Sequence, residues 1–105
     1  MESKSFAQKV YELTRRIPRG QVSTYQSIAR AMKKPGASRA VGNALNKNPF
    51  APKVPCHRVV RSTGEIGGFA SGPKKKAAML AKEGVIVSRR RVDLSRYLYD
   101  FKTKR

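Results

Sequence analysis

Pro49, Pro52 and Pro55 fall within seven positions of "NPFAPKVP", and no other stretch of this 105-residue chain restricts its fold as much. Each proline ring fixes φ and removes a backbone N–H, so the segment can be neither helix nor central strand. It must be a constrained loop. That loop delivers the chain's single cysteine and single histidine side by side, as Cys56 and His57, followed by Arg58.

Before the loop, Phe6, Val10, Leu13 and Ile17 recur at helical spacing among charged residues, which predicts an amphipathic helix over 4–16 ended by "IPRG". Ser23 with Gln26 three residues later has the capping-box pattern, placing Tyr25 in the first turn of a second helix through Met32. After a break at "KKPG", Ala37, Ala40, Val41, Ala44 and Leu45 share one face of a third helix ending near Asn46. Two short helices joined this closely predict a helix-turn-helix, whose second helix would offer Ser38, Arg39, Gly42, Asn43 and Asn46 to DNA.

After the loop, "RSTGEIGGFASGPKKK" has the turn chemistry of a hairpin or wing. Pro73 is placed to start a helix running to Lys82, with Gly84 as its stop. "VIV" at 85–87 reads as a short strand, and Leu94, Leu98 and Phe101 take helical spacing inside a basic C-terminal extension, 89–105. The expected fold is mainly α with a small β component, a single winged-helix-like domain over 1–105 containing a helix-turn-helix.

Twenty-four Lys and Arg oppose six Asp and Glu, and the net charge of +18 is spread along the whole chain, which points to a polyanionic partner. No apolar run reaches spanning length and the N-terminus lacks a signal-peptide core, so a membrane is not expected and the location is read as cytoplasmic, nucleoid-associated. One cysteine permits no internal disulfide. One Cys, one His and six scattered acids are a poor structural zinc set, so no metal or cofactor is expected.

Cys56 is then either a buried structural thiol or a nucleophile, and a proline-fixed loop carrying Cys, His and Arg in a row favours chemistry. Consecutive extended residues point to opposite faces, so His57 is expected to reach the thiol through a water.

"PCHRVV" at 55–60 resembles the active-site signature of the O6-alkylguanine-DNA alkyltransferases. "IPRGQVSTYQSIARAM", "SRAVGNALNKNPF", "RSTGEIGGF" and "KKKAAMLAKEGV" resemble the family's other segments, in the same order and at similar spacing. The resemblance is to the family's C-terminal DNA-binding and active-site domain. It implies a suicide methyltransferase that repairs O6-alkylguanine in double-stranded DNA, as a monomer and without a cofactor, in concert with other repair factors.

Residue by residue, the resemblance makes Cys56 the nucleophile and His57 its base through a water, with Glu83 orienting His57. Arg39 would fill the space of the extruded nucleotide, and Tyr25 would crowd the flipped phosphate and hydrogen-bond to the base. Asn48 would hold the active-site turn together with Pro55 and Arg58, and Val59, Gly67, Gly68, Phe69 and Ala70 would form the base pocket. The run Lys74 to Lys76 is expected to be a solvated face.

Two departures bear on function. Only five residues precede Phe6, where family members usually carry a further N-terminal domain. A related group, the alkyltransferase-like proteins, is similarly compact, replaces the cysteine (often with tryptophan) and only flags lesions. Outside the family, a small winged-helix DNA-binding regulator with a redox-sensitive thiol also fits the charge.

Overall fold

A computed structural model describes residues 4–50, 53–67 and 72–101. It is mainly helical with a small β component, and its first three helices contain the expected helix-turn-helix. Helix α1 spans Phe6–Arg15 and opens on a capping box absent from the sequence expectation. Ser5 Oγ accepts from the Gln8 N–H at 3.1 Å, and Gln8 Oε1 accepts from the Ser5 N–H at 2.9 Å. Its inner face buries Val10 completely, as it does Ile17 just beyond.

Strand β1, Ser23–Thr24, precedes helix α2, Tyr25–Ala31, and here the expected cap shifts by one residue. Thr24, not Ser23, accepts the Ser27 N–H, at 2.9 Å. Ser23 is committed to a parallel pairing with Val59, while Gln26 donates from its side chain to Pro35 O at 2.9 Å. Gln26 thus clamps the turn leading into helix α3, Ser38–Asn46, instead of closing a capping box. Val41, Ala44 and Leu45 of α3 pack inward, and Tyr11 of α1 donates to Ala44 O at 2.9 Å.

Strand β2, Val59–Val60, pairs with β1 and separates two apolar clusters. Successive strand residues face opposite ways. Val59 therefore joins Val10, Ile17, Ile28, Val41 and Leu45, whereas Val60 joins Val22, Ile66, Leu80, Val85 and Val92. Helix α4 runs Pro73–Lys82 with the expected bounds, and Gly84 at φ 88° ends it.

The C-terminal part differs from expectation. The strand is not "VIV": β3 is Val87–Ser88 and pairs antiparallel with β4, Arg91–Val92, across Arg89 and Arg90, both at positive φ. Residues 61–65 close a tight turn, but the arm after it pairs with this distant hairpin through Glu65 and Arg91. Helix α5 covers only Leu94–Tyr97, not the run to Phe101. The backbone of Val22 takes the chain beyond as an extended partner, donating to Tyr97 O at 2.9 Å and accepting from the Tyr99 N–H at 2.7 Å. That pairing leaves Leu98 41% exposed.

Gly64 marks where the arm and the hairpin touch. It sits at φ 95°, and a Cβ there would lie 2.7 Å from Val92 O. Gly64→Ala is expected to cost about 2 kcal/mol in denaturant unfolding. Gly36→Ala, with nothing within 4 Å of the added carbon, is expected to be near neutral.

Candidate active site

Asn48 holds the proline loop from both sides. Its side-chain amide donates to Val54 O at 2.8 Å, and its Oδ1 accepts from the Phe50 N–H at 2.8 Å. The chain then enters a tight 3-10 turn over Cys56–Arg58 behind the buried Pro55. The extended geometry expected for Cys56 and His57 is therefore replaced by a turn of three residues per revolution, which sends three successive side chains in three directions. Cys56 is half-buried, and it makes no direct hydrogen bond to His57.

His57 is 3% exposed, and its Nε2 lies 3.0 Å from Glu83 Oε2. Arg58 grips the same carboxylate with two donors, Nε to Oε1 and Nη2 to Oε2, each at 2.8 Å. Its Nη1 donates to Ile17 O at 2.8 Å. One guanidinium thus joins the end of α1, the cysteine turn and the end of α4. Glu83 follows α4 directly, a position that the helix dipole disfavours for an acid. Two fork bonds from Arg58 outweigh that.

Burial alone would push Glu83 up, but the bonds from Arg58 and His57 hold it down to about 2. Burial lowers His57, against the opposing pull of Glu83. The imidazole is therefore neutral near pH 7. With Nε2–H donating to the ionised Glu83, Nδ1 is the basic atom.

Within electrostatic reach of Cys56 stands a lysine that was expected in solvent. Lys76 is 1% exposed, and its Nζ donates to Tyr25 Oη at 3.4 Å while lying 5.8 Å from the ring centroid. The expected solvated face of Lys74 to Lys76 is corrected at this residue, because Lys76 shares the inward stripe of α4 with Leu80. That spacing was the available signal: a lysine one turn before a core leucine. Burial lowers Lys76 to about 8, with Cys56 opposing and Arg61 assisting. Tyr25 is raised, first by burial and also by Cys56, so its phenol stays protonated as a donor.

Tyr25, Gln26, Ser38, Arg39, Arg61, Ser62, Thr63 and Glu65 border a groove of about 450 Å³. Arg39 is exposed and has no partner among the described residues, and Asn43 is exposed beyond it on α3. Gly42 is less open than expected, since a Cβ there would meet two Tyr25 ring carbons at 3.7 Å. Gly67 adjoins Tyr25 Oη, but the Val59 side chain is wholly enclosed by the helical core, which leaves only its backbone for a pocket wall. Gly68, Phe69 and Ala70 lie outside the described residues. Among the described residues no group of three His, Cys, Asp or Glu could hold a metal ion, and no helix is long and apolar enough to cross a membrane.

The structure thus brings together Cys56, His57, Arg58 and Glu83 on one side and Tyr25 and Lys76 on the other, with Arg39 at the groove. Because Glu83 has a depressed value, its stabilisation is complete above about pH 4.5 and is lost as pH falls towards 2. Glu83→Gln is expected to cost about 3 kcal/mol at pH 7 and to flatten the acid limb of stability, measured by thermal unfolding from pH 2 to 7.

Residues 5–85 match the family described as "6-O-methylguanine DNA methyltransferase, DNA binding domain". A methylated-DNA--protein-cysteine methyltransferase of Methanosarcina acetivorans is 45% identical over 83 residues, 79% of this chain and 53% of that protein. The Salmonella typhimurium protein of the same name is 42% identical over 82 residues, 78% of this chain and 48% of its own. The chain thus spans about half the length of these curated relatives. S. pombe Atl1, crystallised with damaged DNA containing O6-carboxymethylguanine, superposes with a TM-score of 0.84 at 33% identity, covering 95% of this chain and 99% of that one. Mycobacterium tuberculosis OGT, crystallised with DNA, gives 0.75 at 40% identity over 79% of this chain and 51% of its own.

Proposed function

The chain belongs to the family of the 6-O-methylguanine DNA methyltransferase DNA-binding domain, and from that premise we propose that it binds O6-alkylguanine in duplex DNA and takes the alkyl group onto Cys56 in a single turnover. The observation that carries the reading is the thiol's setting. Cys56 directly precedes a buried base, His57 held by Glu83 and Arg58, and lies near enough to a buried donor pair, Tyr25 backed by Lys76, to act on both electrostatically.

Each step asks something different of these groups. A base stacked in a duplex is out of reach, and extruding it costs a few kcal/mol, which an inserted Arg39 side chain offsets by filling the vacated space. His57 Nδ1 accepts the thiol proton through a bridging water, leaving a thiolate and an imidazolium that Glu83 stabilises. The thiolate attacks the alkyl carbon, a C–S bond forms, and the bond from carbon to guanine O6 breaks. The electron pair returns to the purine, which takes a proton from Tyr25, and Lys76 restores it. The thioether is stable, so the protein is consumed. A thiol acceptor supplied by the chain itself leaves no role for a cofactor.

Intact mass after incubation with an O6-methylguanine duplex is expected to rise by one methyl group, and Cys56→Ala is expected to abolish the gain. Unchanged mass with tight, lesion-selective binding would establish the second reading, a lesion-binding sensor. The likeness to S. pombe Atl1, extending over 99% of that chain, favours it.

The proton route has its own signature. Lys76, at about 8, loses its proton above that pH, so transfer is expected to slow on the alkaline side of about pH 8. Lys76→Arg, whose guanidinium does not titrate there, is expected to remove that alkaline decline in single-turnover kinetics.

A further inference from the structure

The turn after β2 carries a charge that neither the fold nor the Glu83 cluster uses. Arg61 holds the turn by backbone alone: its N–H donates to Glu65 O and its carbonyl accepts from the Gly64 N–H, both at 2.8 Å. Its guanidinium makes no hydrogen bond or ion pair with any described residue. Glu65, four positions on, is engaged elsewhere, by Thr63 Oγ1 at 3.2 Å and by Arg91 at 3.9 Å. An arginine without a partner among the described residues, whose nearby acid is engaged by other groups, is a cation kept for something else.

Its position is defined on the inner side. A Cβ on Gly67 would lie 3.4 Å from Arg61 Cγ, 3.6 Å from its Nε and 3.4 Å from Tyr25 Oη, so the two side chains converge on one point. Arg61 also borders two spaces. One is the groove of about 450 Å³ that it shares with Tyr25, Ser38 and Arg39. The other, about 280 Å³, is lined by Ile66, Gly67 and Pro73. Arg61 and Glu65 border both spaces, and of the two only Arg61 carries a positive charge.

A nucleotide extruded past Arg39 toward Cys56 must bring its phosphodiester to this border. A guanidinium unpaired among the described residues offers bidentate donors to a phosphate, with the neighbouring Ser62 to supplement them, while the Thr63 hydroxyl stays committed to Glu65 on the groove's rim. We propose that Arg61 is the phosphate-binding residue for the extruded nucleotide, taking the backbone phosphate beside the lesion so that the base is positioned against Tyr25. This rests on the lesion-binding reading above. It assigns Arg61 to positioning, and the chemistry stays with Cys56.

The test compares wild type, Arg61→Ala and Arg61→Lys on an O6-methylguanine duplex, on the same duplex with a neutral methylphosphonate at either phosphate flanking the lesion, and on free O6-benzylguanine. Arg61→Ala is expected to bind the lesion duplex roughly 10-fold more weakly, with a salt slope smaller by about 1. Transfer from the free base should stay within about twofold of wild type, since no phosphate is present. One methylphosphonate should weaken wild type by a similar factor and leave Arg61→Ala unaffected, and Arg61→Lys should recover part of the loss. Equal sensitivity of wild type and Arg61→Ala to both methylphosphonates, an unchanged salt slope, or a free-base loss as large as the duplex loss would each overturn the proposal. Failure of the transfer reading would appear separately, as unchanged wild-type mass, and the binding arms would still decide Arg61.

Discussion

The rest of the structure depends on the Arg58–Glu83 pair. Its side chains are 16% and 9% exposed, and its donors reach the carboxylate and the end of α1 at once. A buried pair of this kind adds little over a well-packed apolar substitute, but removing one partner strands a charge and costs several kcal/mol. The pair therefore acts mainly as a specification. It fixes α4 against the cysteine turn in one register, and that register carries His57 to Glu83 from one direction and Lys76 to Tyr25 from the other.

The electrostatic logic at the thiol follows from that register. A chain with 24 basic residues could place cations anywhere, yet among the described residues one lysine is buried, and it is the one beside Tyr25. Desolvation makes Lys76 a willing proton donor near neutral pH. The same desolvation keeps His57 neutral against the opposing pull of the ionised Glu83. Burial thus lowers the proton affinity of two ordinary basic side chains in the neighbourhood of one cysteine.

The legible parts of the sequence were those governed by local rules. Helical spacing located α1 and α3, a cap signal one residue out of place still put Tyr25 at the start of α2, and Pro73 with Gly84 bounded α4 correctly, because propensity and capping act within a few residues. The misread parts all involve a partner distant in sequence. Ser23 lost its cap to a pairing with Val59, and Leu98 left its helix because the Val22 backbone recruits an extended neighbour. The arm after Gly64 found its β partner in residues 90–92. Lys76 was assigned to solvent because a basic run looks uniform until one knows which face of α4 is covered.

The sequence by itself determined the composition of the site and the family: Cys56 behind a proline-fixed loop, Tyr25 at a helix start, Arg39 on a second helix, and a charge suited to a polyanion. These follow from residue type and short spacing. Only the tertiary structure decided which charges are buried. It made Arg58 a clamp on Glu83, Lys76 a desolvated donor and Arg61 a cation unpaired among the described residues at the groove, whereas the sequence had placed Arg58 at the active-site turn, read Lys76 as solvated and given Arg61 no role. The physical reason is that a charge's pairing and proton affinity depend on its distance from solvent and from other charges, and long-range packing sets both.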